Sequence, residues 1–329
     1  MIFRTKLSAQ AAPWTFDYSK SICLLGSCFA SSIGEKFAKA KVETMINPWG
    51  TIYHPTPLLA IIQSAISGTG LPAEGFVQRG RRYMHYSAHS DVHAPSQEEL
   101  FKHFTSVNNY FLDHIKRSRL LFITLGTAWH FYHRDLEMTV ANCHKQSNDL
   151  FDRRLSSPEL IKDHLSQIIT LLQETNPRLE IICTVSPVRH IRDGLIANNR
   201  SKAHLLTACH QLCENSKSVH YFAAYELLLD DLRDYRYYDE DLVHPSSQAV
   251  NYIWAHLLDH YTDPETQQLI ASAEQISKDL AHKAIDPQSE QHQSFLRHII
   301  SKMKKLQEKG LDYTLDITQV QEQLDNLRA

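Results

Sequence analysis

Three short apolar runs spaced far apart constrain what this chain can fold into. Ser21–Leu25 runs into Gly26, Leu120–Leu125 into Gly126, and Leu179–Val185 into Ser186-Pro187. Each is too short for a buried helix and too uniformly apolar for a half-exposed strand, so each reads as a strand buried on both faces. The segments between them carry helical spacing. Helices are expected over 31–42 (Ile33, Phe37, Ala38), 55–66 (Leu58, Leu59, Ile62, Ile66), 96–116, 157–174, 199–215 and 246–259. Ser96 has Glu98 and Glu99 in the turn after it, and Ser157 is followed by Pro158, both good helix starts. A further strand is expected to begin at Val219 within 219–229, and 68–96 reads as short strands and loops. Strands alternating with helices predict a parallel sheet covered on both faces, an α/β chain of three layers.

The last part of the chain differs. Residues 262–329 are rich in Gln, Lys, Glu and Asp, yet Leu269, Ala273, Ile276 and Leu280, then Phe295, Ile299, Met303 and Leu306, keep helical spacing. The expected organisation is an α/β domain over 1–261 and a helical C-terminal extension over 262–329, which packs on the core or on a partner such as a second copy of the chain, or else stands as a solvated appendage.

Composition enters here as a set of exclusions. With 43% hydrophobic and 22% charged residues the chain is neither disordered nor fibrous, and a formal charge of -3 with mixed signs supplies no basic stripe for nucleic acid. No run approaches the roughly 20 apolar residues of a membrane span. The start, Met-Ile-Phe-Arg-Thr-Lys-Leu-Ser, lacks a leader's apolar stretch, and the six cysteines are scattered, so reduced thiols in the cytoplasm are expected. Gly75 and Gly80 precede Arg81 and make no phosphate loop, and no Gly-x-Gly-x-x-Gly follows a strand, so no nucleotide cofactor is expected. His85, His89 and His93 are four apart but lie in a stretch without helical character, so no metal site is assigned.

Two local clusters carry chemistry. Gly26-Ser27-Cys28-Phe29-Ala30 sits where the first strand turns into a helix. Free N–H groups at the helix start favour negative charge there, which lowers the pKa of a thiol and offers donors to an oxyanion. Near the other end, Asp241-Leu-Val-His244 places a carboxylate and an imidazole in one loop. An Asp three residues before a His can fix the ring's tautomer and leave its other nitrogen as a base. A nucleophile, a base and an orienter is the expected arrangement. The alternative is that both residues only cap the helix that follows Ser246.

Gly26-Ser27-Cys28-Phe29-Ala30 is also the motif that names the GSCFA family. Asn47-Pro-Trp-Gly50-Thr51, Leu125-Gly-Thr-Ala-Trp129, Ala141-Asn-Cys-His-Lys145, Thr184-Val-Ser-Pro-Val-Arg-His190 and Tyr238-Asp-Glu-Asp-Leu-Val-His-Pro245 resemble that family too, over roughly residues 2–261, with the tail outside. The family is similar to the GDSL/SGNH hydrolases, esterases and acyl hydrolases on a flavodoxin-like α/β/α fold. The resemblance implies Cys28 at the nucleophile's place, Ser27 before it, Gly50 as an oxyanion donor, and Asp241 and His244 as orienter and base. Where those hydrolases carry Gly-x-Asn, this chain has Gly126-Thr127-Ala128, so the Thr127 hydroxyl or Asn142 is left to replace the missing amide. His144, Arg189 and His190 are further pocket candidates, the last two for an anionic group. Trp49 and Trp129 read as core or pocket wall.

Three readings follow: thiol acyl transfer at Cys28 acting on an ester or thioester, serine chemistry at Ser27, or a ligand-binding or scaffold protein on the same fold without catalysis. The expected partner in the first two is a small or acylated substrate.

Overall fold

The structure, a computed structural model, describes residues 4–8, 12 and 14–327. The expected domain limits at 1 and 329 lie outside the described residues, as does the start of the segment read for a leader. In chain order the elements are β1 (Ser21–Gly26), α1 (Cys28–Lys39), β2 (Thr44–Ile46), α2 (Pro55–Ser67), β3 (Phe76–Arg79), β4 (Arg82–His85), α3 (Gln97–Arg117) and β5 (Ser118–Leu125). Then come β6 (Trp129–His133), β7 (Met138–Val140), β8 (Phe151–Leu155), α4 (Pro158–Thr175), β9 (Glu180–Val185), α5 (Gly194–Glu214), β10 (Val219–Tyr221) and the short turn α6 (Ala224–Glu226). Four helices close the chain: α7 (Ser247–Tyr261), α8 (Pro264–Ala281), α9 (Glu290–Gln307) and α10 (Thr314–Asn326).

The central sheet is parallel, in the order β10-β9-β5-β1-β2. Numbered along the chain and read from the β2 edge, that is second, first, third, fourth, fifth. The order reverses between β1 and β5, and in open parallel sheets ligands settle beyond the carboxyl ends of the strands at such a reversal. Side chains alternate across the sheet. Ile22 and Leu24 of β1 join the core under α1 and α7, while Cys23 and Leu25 join the core under α2 to α5. The three-layer flavodoxin-like sheet expected from the sequence is what the structure shows.

Three expected elements differ in extent, the simplest being α5, which begins at Gly194 and not at 199. α1 begins at Cys28, three residues before the apolar periodicity starts, because Ser27 takes the extended cap conformation. The strand expected to begin at Val219 ends at Tyr221, where the chain turns into α6 and a wide helical turn over Leu227–Leu232. Phe37 is fully buried and packs edge-on against Trp254 at 4.7 Å, which fixes α1 to α7.

The C-terminal helices α8 to α10 have their own core of Ala273, Ile299, Met303, Tyr313 and Leu324. They dock on the sheet domain through Ile270, the Lys41–Asp316 ion pair at 2.6 Å and the Trp254 indole donating to Glu274 at 2.8 Å. None of the described helices is long and apolar enough to cross a membrane. All six cysteines are free thiols.

Candidate active site

The turn from β1 into α1 is possible only with glycine. Gly26 has φ +125°, and a Cβ there would lie 2.1 Å from the Thr124 carbonyl oxygen. That closeness comes from the β1–β5 register, in which Gly26 pairs with Thr124 and Ser27 N–H donates to Thr124 O at 2.9 Å. Asn47 braces the turn from the other side. Its Oδ1 accepts from Gly26 N–H at 2.8 Å, and its Nδ2 donates to Ser31 Oγ at 2.9 Å.

Ser27 and Cys28 are therefore held at the switch point, with different access. Ser27 is 2% exposed, and among the described residues its Oγ has no hydrogen-bond partner. Cys28, the first residue of α1, is half-buried. Burial pushes its thiol pKa up. The N–H groups of Phe29 and Cys28 itself and the charge of Lys202 work the other way, while Asp241 adds to the rise. The sequence expectation of a lowered thiol pKa is corrected on this point: desolvation outweighs the helix start.

Asp241 and His244 form a tight couple. Asp241 Oδ2 lies 2.6 Å from His244 Nδ1, and Oδ1 accepts from the backbone N–H groups of Val243 at 2.8 Å and His244 at 2.9 Å. The hydrogen bonds to His244 and Val243 hold the Asp241 carboxyl at about 2. Leu242 takes a left-handed φ of +56° to make this loop. The helix cap is supplied by Ser246, whose Oγ accepts from Ala249 N–H at 3.3 Å. Asp241 is thus committed to the imidazole, and with Nδ1 occupied, Nε2 is the nitrogen left for proton transfer. The Asp241 loop faces α1: Ser32 lines one hollow with Asp239 and Pro245, and the Asp241 charge acts on the Cys28 thiol. Among the described residues, neither Ser27 nor Cys28 is hydrogen-bonded to His244.

The N–H groups of Gly50 and Gly126 are committed elsewhere. Gly50 N–H donates to Asn47 O at 2.8 Å, so this glycine makes a tight turn and has no donor to offer. Gly126 lies under Tyr53 and His190, but its N–H donates to Tyr53 O at 2.9 Å. The Thr127 hydroxyl lies 2.8 Å from Ser201 Oγ and accepts from Trp129 N–H. Asn142 Oδ1 accepts from His144 N–H at 2.8 Å and from Ser90. Both ring nitrogens of His144 are used, on His85 O at 2.8 Å and Ser90 at 3.0 Å. Asn142 through its acceptor and His144 through both ring nitrogens therefore brace the loop around β4. Arg189 and His190 adjoin the Asp241–His244 loop. Arg189 N–H donates to Val243 O at 3.1 Å, which ties their loop to the Asp241 loop. The His190 ring is pushed down to about 4 by burial and then by Lys202 and His244.

With this geometry in place, the comparisons add a family. Residues 21–257 match the GSCFA family, and residues 273–326 match the GSCFA domain protein, C-terminal domain. The chain belongs to the GSCFA family. Its tail, expected to lie outside the resemblance, matches the family's C-terminal domain. No curated protein matches the chain. Among solved structures it is similar to a carbohydrate esterase family 3 from Talaromyces cellulolyticus (9% identity, 77% of this chain and 98% of that one, TM-score 0.37). It is also similar to a Clostridium thermocellum family 3 carbohydrate esterase (11%, 77% and 98%, TM-score 0.34). A third is an acetyl xylan esterase from the rumen bacterium Butyrivibrio proteoclasticus (13%, 74% and 63%, TM-score 0.41).

Two buried polar residues of α5 adjoin these loops, and sequence reasoning missed both. Asn198 is 2% exposed. Its Oδ1 accepts from His190 N–H at 2.8 Å, which fixes the amide's orientation and leaves Nδ2 buried without a partner. One turn later Lys202 is 1% exposed and donates to Gly126 O at 2.7 Å and Ser186 O at 2.6 Å. The signal was present in the sequence: Asn198, Ser201 and Lys202 share the buried stripe of Leu205, Ala208 and Leu212. Polar groups rarely occupy such a stripe without a task.

Proposed function

We propose that the chain is an acyl hydrolase or acyltransferase acting on an ester or thioester, with Cys28 as nucleophile. The observation that carries this reading is the Asp241–His244 couple at 2.6 Å, set beside the helix start that bears Cys28. His244 Nε2 takes the proton of the Cys28 thiol as Sγ bonds to the acyl carbon. The collapsing intermediate expels the alcohol or thiol, which takes that proton from His244. Water then attacks the thioester by the same route, or a second acceptor takes the acyl group. The raised thiol pKa fits this order of events, because the thiol needs a base at the moment of attack. The N–H groups of Cys28 and Phe29 face the developing charge, and Asn198 Nδ2 supports the reading as the amide donor absent from the 126–128 turn. Cys28 is favoured over Ser27 because the serine hydroxyl is sealed and the thiol is half-open. Reduced thiols throughout suit the cytoplasm, which completes this proposal.

The test is hydrolysis of p-nitrophenyl acetate by the wild type, Cys28→Ala, Ser27→Ala and His244→Ala. Loss in the first and last with retention in Ser27→Ala is expected. Full activity in Cys28→Ala rejects the thiol. A second reading, a binding protein that has lost catalysis, is favoured by the commitment of the Gly50, Gly126 and Thr127 donors. It requires all four proteins to be equally inert.

A further inference from the structure

Lys202 is an ammonium taken almost wholly out of water, and among the described residues no carboxylate pairs with it. Two backbone carbonyls solvate it without neutralising it. A lone buried charge is costly and is kept where its field is used. Its position is informative. Gly126, which it grips, lies two residues past Thr124, the register partner of Gly26, and Cys28 lies two residues past Gly26. The ammonium and the thiol therefore sit at adjoining strand ends on either side of the sheet's reversal.

We propose that Lys202 is the fixed cation of this site, a positioning residue that does not touch substrate but whose field holds the negative charge formed at Cys28 during attack. The proposal rests on the reading of Cys28 as nucleophile. Burial and then the Arg189 charge lower the Lys202 ammonium to about 7, and Cys28 is the neighbour that raises it. The groups facing Lys202 and Cys28 are His190 from the same loop as Arg189, Tyr225 of α6, whose ring centre is 5.9 Å from Nζ, and the Asp241–His244 couple, which is common to every protein compared. His190 is neutral above about 4, and burial pushes Tyr225 above its ordinary value of 10.0, so neither changes charge between pH 5.5 and pH 8.5. In that window the cation is present at the acid end and is lost as pH rises through about 7.

The experiment compares alkylation of Cys28 by anionic iodoacetate and neutral iodoacetamide from pH 5.5 to 8.5, read by mass spectrometry of the Cys28 peptide. The ratio of the two rates cancels the thiolate fraction and reports the local field. In the wild type it should fall at least about threefold between pH 6 and pH 8. Lys202→Arg should keep it high throughout, and Lys202→Met should keep it low. Equal ratios at pH 6 for wild type and folded Lys202→Met overturn the proposal. If Lys202→Met does not fold, Lys202→Arg decides: a ratio that falls with pH as the wild type's does overturns it. The readout needs no turnover. Full esterase activity in Cys28→Ala therefore rejects the nucleophile reading separately, whatever the field at Cys28.

Discussion

Asp241 spends both carboxylate oxygens on His244: Oδ2 on the ring at 2.6 Å and Oδ1 on the same residue's backbone N–H at 2.9 Å. Ring and backbone are therefore oriented by a single group, and the loop's shape and the tautomer are one property. Replacing Asp241 by Asn keeps the size but removes the charge that holds the ring's proton on Nδ1. Esterase activity should fall by about a hundredfold or more, while thermal stability changes little because the couple is half-exposed. A variant retaining near-full kcat/KM shows that His244 needs no orienter.

The same couple sets an acid limit. Asp241 has a folded pKa of about 2 against an ordinary value of 3.8. A depressed carboxyl favours the folded loop above the ordinary value and loses that contribution as pH falls through the folded one. The His244 ring should keep its ordered environment down to pH 4 and lose it between about 4 and about 2. The His244 ring proton resonances across that range check it, and loss of order already at pH 5 contradicts it.

Much of this architecture is legible in the sequence because it rests on local pattern. The strands at 21, 120 and 180 are apolar runs, and the caps Ser96, Ser157 and Ser246 each accept the backbone bond that their place in the sequence implies. The Asp241–His244 pair is legible because three residues separate its members. What the sequence hides is the use made of each backbone donor. Gly50 and Gly126 stand where donors are wanted, yet each N–H is closed by a neighbour in a turn or from the loop before α2. Asn198 and Lys202 are hidden for a related reason: their partners Gly126, Ser186 and His190 come from other elements, and no short spacing encodes them. The third tail helix, α10, is faint in the sequence because only Val320 and Leu324 mark its buried face.

Gly26 is the position least tolerant of change. Alanine there combines a left-handed backbone with a 2.1 Å approach to Thr124 O, in the register pair that joins β1 to β5. Gly26→Ala should cost about 3 kcal/mol or more, measured as a lower urea midpoint, or prevent folding. Ordinary stability in that variant means the turn can open without loss.

Several histidines are buried in their neutral form. Burial pushes His85 and His130 down to about 4, as it does His190, and His54 lies well below its ordinary 6.5. For a base with a lowered folded pKa, the unfolded chain takes up the proton first. Stability is therefore full above about 6.5 and is lost progressively as pH falls toward about 4. Guanidinium unfolding at pH 7.5, 5.5 and 4.5 should show a steadily falling midpoint, and His130→Gln should flatten part of that slope. A midpoint independent of pH means these rings are not buried neutral.

Asn198 separates chemistry from scaffold. Its Nδ2 is a buried donor with nothing to donate to, and such a group is costly unless a ligand satisfies it. Asn198→Ala removes that donor and also the acceptor for His190 N–H, so some stability is lost with it. Asn198→Asp keeps the acceptor for His190 and exchanges the donor for a second carboxyl oxygen. If Nδ2 serves the oxyanion, both variants should lose about tenfold to a thousandfold in kcat/KM, with the rate of Cys28 alkylation by iodoacetamide unchanged in Asn198→Ala. If Asn198 only holds the His190 loop, Asn198→Asp keeps its activity and Asn198→Ala alone falls, and the donor role is rejected.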